Sequence, residues 1–100
     1  MGWATPYIEQ LKEGETVQFR PRGHSMKGKV KSGQLVTVEP LRNRELKKGD
    51  IVLCKVRAYQ YLHLIKAIRG NQYQIGNNIG GINGWISSNA IFGICTKAED

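Results

Sequence analysis

Tyr61-Leu62-His63-Leu64-Ile65-Lys66-Ala67-Ile68 is a run of aromatic and aliphatic residues with two polar interruptions. Such residues fit a pleated, half-buried strand. Side chains alternate faces along a strand, so Leu62, Leu64, Lys66 and Ile68 are expected on one face and His63 on the other. An ammonium among three aliphatic neighbours would be partly desolvated, which lowers its pKa toward the range where a lysine accepts protons. Alternatively, the stem of Lys66 follows the leucines and its amine stays in water at an edge.

Working outward, short apolar runs punctuated by twelve glycines predict further strands over 15–20, 34–39, 50–57, 72–77 and 90–96, with the quoted run at the centre of 60–69. Thr5 can cap a short helix with Pro6 at its first position and Gly14 just past its end, burying Ile8 and Leu11. Residues 77–85 are dense in types that tolerate positive φ and read as a loop, closed onto the core by Trp85. The expected fold is mainly β: one compact, mostly antiparallel domain over 1–100, with a helical segment at 1–14 and a β core at 15–97.

Gly23-His24-Ser25-Met26 lies 41 positions before Lys66. A serine hydroxyl is a poor nucleophile until a neighbouring base takes its proton, and Ser-Lys pairs are one established solution. Gly23 allows a tight turn and close approach of a substrate. Amides around Ser25, in the loop formed with Gly23, His24 and Met26, could then hold an oxyanion. Taken alone, a serine in such a loop is ordinarily a polar turn residue.

The order of these pieces resembles the serine peptidases that share the LexA-repressor and signal-peptidase fold. The resemblance runs from about Phe19 to Thr96. It rests on Gly23-His24-Ser25-Met26, on Gly33 before Leu35-Val36-Thr37-Val38, on Lys48-Gly49-Asp50-Ile51-Val52-Leu53 and on Ile65-Lys66-Ala67-Ile68. It implies peptide-bond hydrolysis with Ser25 as nucleophile and Lys66 as general base. Some relatives of signal peptidases use histidine instead, which makes His63 the rival base, and a bulge between positions 63 and 66 would undo the parity argument. The chain departs from the family pattern at Gln34, Gly28 and Ala67. Asn77-Asn78 stands where Asp-Asn is frequent, so an acidic role there is lost. With 24 residues before Ser25 and no Ala-Gly pair for self-cleavage, any cleavage is expected to act on another chain.

Charge distribution narrows the chemistry. No carboxylate occurs from Ile51 to Ala98 or from Thr16 to Val38, which argues against a two-carboxylate glycosidase or a carboxylate-bound magnesium site. Two histidines and two separated cysteines lack zinc spacing, and no phosphate-binding glycine motif is present. No cofactor or metal is therefore expected. Cys54 and Cys95 read as buried free thiols. No run approaches the ~20 apolar residues of a membrane span, and the start Met1-Gly2-Trp3-Ala4-Thr5-Pro6 lacks a signal peptide's regions. A cytoplasmic protein without a membrane partner is expected.

The net charge of +7 opens a second reading. Arg20, Arg22, Lys27, Lys29 and Lys31 surround the serine loop, and Tyr59, Tyr61 and Tyr73 fall on strands. Such a surface could track a phosphate backbone and stack bases, making nucleic acid the partner and Ser25 and Lys66 incidental. A third reading keeps the peptidase-like fold without its chemistry, as a module taking an extended peptide along a strand edge.

Overall fold

In the computed structural model, which describes residues 2–100, seven strands form one antiparallel sheet preceded by a short helix. Of the segment expected to be helical, residue 1 lies outside the described residues. Helix α1 spans Thr5–Lys12, with Ile8 and Leu11 buried and Gly14 at φ +88° past its end. Thr5 is the first helical residue rather than the cap, and Ala4 precedes it with no side-chain cap bond. Gln60 takes over that role from the sheet. Its Oε1 accepts from the Ala4 N–H at 2.7 Å, and its Nε2 donates to Thr5 Oγ1 at 3.0 Å.

Strands β1 (Val17–Phe19), β2 (Leu35–Pro40), β3 (Ile51–Val56), β4 (Tyr59–Arg69), β5 (Gln72–Gly76), β6 (Ile82–Ser87) and β7 (Ile91–Glu99) lie in the order β1-β2-β7-β3-β4-β5-β6. Six coincide with the expected runs. The seventh, β6, begins within the stretch read as a loop and takes its last four residues, while 77–81 remains a loop. Trp85 lies on that strand, half-buried, with the Arg69 guanidinium 4.6 Å from its ring centroid, rather than closing a loop.

Apolar residues are buried on both faces of this sheet. Leu53, Leu62 and Leu64 join Val36, Val38 and Phe19 beneath α1, while Val52, Cys54, Val56, Ile65, Ile75 and Ile86 form a second cluster. Alternation along β3 and β4 divides the two sets, as period-two side chains require. The β6 end of the sheet curls back over β3: a Cβ added at Gly84, where φ is +147°, would stand 3.2 Å from Val56 Cγ1. Only glycine combines that conformation with that approach.

Two bulges decide what faces the site. Pairing of β4 with β5 passes from Ile65↔Ile75 to Ala67↔Gln74, leaving Lys66 as the extra residue. Pairing of β5 with β6 passes from Ile75↔Gly84 to Gly76↔Ile82, leaving Asn83 extra. An extra residue bends its strand and re-aims its side chain. The alternation expected through Ile68 thus ends at Lys66: Leu62 and Leu64 are buried, Lys66 is half-buried and Ile68 is 42% exposed. Among the described residues, no helix is long and apolar enough to cross a membrane.

Candidate active site

Ser25 sits in the long connection between β1 and β2. The base of that connection is closed by the Gly33 N–H donating to Pro21 O at 2.8 Å and by Arg20 Nη1 donating to Gly33 O at 2.8 Å. Farther out, the Gly23 N–H donates to Ser32 Oγ at 3.1 Å, and Gly23 adopts φ +112°, where a side chain would be strained. Met26 and Val30 anchor the loop by entering the core beneath α1. With its neighbour buried, Ser25 is left half-buried at the surface of the loop.

The β5–β6 loop holds it there. Asn78 donates its backbone N–H to Ser25 O at 2.8 Å and its side-chain amide to Lys27 O at 2.6 Å. Asn77 shapes the same loop, its Oδ1 accepting from the amides of Ile79 at 3.0 Å and Gly81 at 2.7 Å. Lys66 ties the loop to β4, with Nζ donating to Asn77 O at 3.0 Å. The amine expected to face Ser25 is directed by the bulge to a backbone carbonyl instead.

His63 is the group that meets the serine. Its Nε2 lies 3.1 Å from Ser25 Oγ, and its Nδ1 lies 2.7 Å from Asn83 Oδ1. A carboxamide oxygen can only accept, so Nδ1 carries the proton and Nε2 is free to receive one from the hydroxyl. The imidazole is 7% exposed and stacks on Tyr61, with ring centroids 4.8 Å apart. Burial pushes its pKa below the usual 6.5, opposed by the bond to Asn83, so the ring is neutral at physiological pH. Ser25, His63 and Asn83 thus form one hydrogen-bonded line of hydroxyl, imidazole and carboxamide, an order of groups that can supply a nucleophile, a base and a group that orients the base.

Asn83 carries no mark of chemistry in the sequence, where it stands beside Gly84 in a stretch of turn-forming residues. The signal available for it is the absence of any carboxylate from Ile51 to Ala98, which leaves only neutral groups in that stretch to orient a base. The amides of His24, Ser25 and Met26 have no acceptor among the described residues. The His24 side chain is exposed.

The remaining expected residues divide differently. Arg20, Arg22, Lys27, Lys29 and Lys31 are all exposed around the serine loop, and none is in an ion pair among the described residues. Tyr59 is 67% exposed, whereas the Tyr61 ring is committed to His63. Cys54 is fully buried, and burial pushes its thiol up to about 12. Cys95 is half-buried rather than buried. No group of three or more potential metal ligands occurs among the described residues. No protein-family model, curated protein or solved structure matches the chain.

Proposed function

We propose that this protein is a serine hydrolase acting on peptide bonds, with Ser25 as nucleophile, His63 as general base and Asn83 as the residue that orients His63. The observation that carries this reading is the continuous hydrogen-bonded line from Ser25 Oγ through the buried imidazole to Asn83 Oδ1. Ser25 Oγ attacks the scissile carbonyl carbon as His63 Nε2 takes the hydroxyl proton. The resulting oxyanion is met by amides of the 24–26 segment. His63 then passes its proton to the leaving amine as the carbon–nitrogen bond breaks, giving an acyl-enzyme on Ser25. Water, deprotonated by His63, attacks the ester carbon, and His63 returns that proton to Ser25 Oγ as the carbon–oxygen bond to serine breaks, releasing the acid product. Asn83 holds the tautomer that both half-reactions need. Asn fills the orienting position beside His in papain-like proteases, so a carboxylate is not required there.

The resemblance to LexA-like and signal-peptidase-like serine peptidases remains part of this proposal, with the base moved from Lys66 to His63. Lys66 becomes a positioning residue: it holds Asn77, whose neighbour Asn78 holds Ser25. The test is hydrolysis of a pool of internally quenched peptides by the wild type and by Ser25→Ala, with parallel labelling by a fluorophosphonate. Hydrolysis and labelling at Ser25 that vanish in Ser25→Ala are expected. A correctly folded wild type that neither cleaves nor is labelled would contradict the proposal and favour a peptide-binding module.

A further inference from the structure

A cleft of about 700 Å³ adjoins Ser25 and His63, and its lining includes both aromatic and cationic residues. Trp3, Tyr7 and Phe19 form an aromatic cluster in its lining. Tyr7 stacks on Phe19 with centroids 4.5 Å apart, and Trp3 meets Phe19 edge-on at 5.5 Å. Trp3 is nevertheless 49% exposed, and its indole Nε1 donates to Gln60 O at 3.1 Å, so the wall is fixed to β4 close to His63. The lining also includes Arg20, Arg22 and Lys31. No residue lining the cleft is acidic, and none of these three cations is in an ion pair among the described residues.

We infer that this cleft selects peptides in which a bulky apolar side chain is flanked by aspartate or glutamate. The inference rests on the hydrolytic reading of Ser25 and His63 and adds to it the class of substrate. The apolar side chain covers the aromatic wall, and the acidic residues supply the negative charge that the cations lack. Complementary charge across a partly desolvated cleft governs selectivity more strongly than it governs affinity. A nucleic-acid strand matches the charge less well with the walls. Tyr7 and Phe19 already use ring faces on each other and Tyr61 uses one on His63, whereas strand binding relies on open faces for base stacking.

Binding is measured on Ser25→Ala, which cannot cleave, by fluorescence anisotropy. The probe is a short fluorescein-labelled peptide with a central Phe amid Asp and Glu, compared with the same peptide carrying Lys at every acidic position. The acidic peptide is expected to bind at least ~10-fold more tightly, with the preference weakening as salt rises. Arg22→Glu combined with Lys31→Glu, both at exposed positions, should remove or invert the preference, and Trp3→Ala should weaken binding several-fold. Lys47→Glu with Lys48→Glu, outside the cleft, should change the preference little. Equal binding of both peptides, no detectable binding, or tighter binding of a single-stranded oligonucleotide would each overturn the inference. Because the readout needs no catalysis, a failure here is distinct from a failure of hydrolysis in the wild type.

Discussion

His63 Nδ1 and Asn83 Oδ1 stand 2.7 Å apart although their strands, β4 and β6, are separated by β5. Asn83 is the extra residue of the β6 bulge, which takes its side chain out of the strand's regular alternation. A Cβ at Gly76 would collide with Gly81 O, so the β5–β6 loop can lie close over the strand that precedes it. Asn83→Ala should therefore lower kcat about 10²-fold with KM little changed, since it removes orientation of the base rather than substrate contact. Steady-state kinetics on a cleaved peptide check this; a change confined to KM would contradict it.

Asn83→Asp places a carboxylate beside the imidazole and should stabilise its charged form, raising the pKa of His63. The acid limb of the kcat/KM profile is expected to move to higher pH than in the wild type. An unmoved limb would mean that Asn83 does not face the catalytic base in solution.

Stability should carry the same signature with a definite sign. His63 is held below its usual 6.5 by burial, so the unfolded chain takes up the proton first as pH falls. Its contribution is complete above 6.5 and is lost on acidification until the folded imidazole itself protonates. Urea midpoints measured from about pH 7.5 down to about pH 5.5 should fall more steeply for the wild type than for His63→Gln. Parallel slopes would contradict the burial of a neutral ring.

Gln60→Ala should loosen helix α1 from the sheet. The substitution removes the acceptor for the Ala4 N–H and the donor to Thr5 Oγ1, at roughly 1–3 kcal/mol in total. Chemical denaturation measures the loss; a change below ~0.5 kcal/mol would show that the helix is held by Ile8 and Leu11 alone.

Most of the architecture can be read from residue patterning. Six strands and the helix follow from apolar alternation, from Pro6 and from glycines such as Gly14 that end elements at positive φ. β6 escapes that reading because Gly81, Asn83 and Gly84 are turn-forming types used within or beside a strand, for a bulge and a close approach to Val56. The pairing of Ser25 with His63 escapes it for a related reason. Both faces of β4 are buried, so alternation cannot reveal which face carries chemistry, and the bulge at Lys66 breaks the parity on which the lysine's orientation depends. Ser25 was legible from its glycine-flanked loop. Asn83 was not, because its role depends on where a curled sheet returns the chain.

The central claim is that His63, and not Lys66, activates Ser25. Its most direct measurement is the pH dependence of fluorophosphonate labelling at Ser25 in the wild type, His63→Gln and Lys66→Met, with circular dichroism confirming that each is folded. The account predicts a wild-type rate that rises with pH through a midpoint below 6.5 and then levels, as the imidazole loses its proton. Labelling should fall by about 10²–10⁴-fold in His63→Gln and stay within ~10-fold in Lys66→Met. Loss of labelling in Lys66→Met with retention in His63→Gln would contradict it.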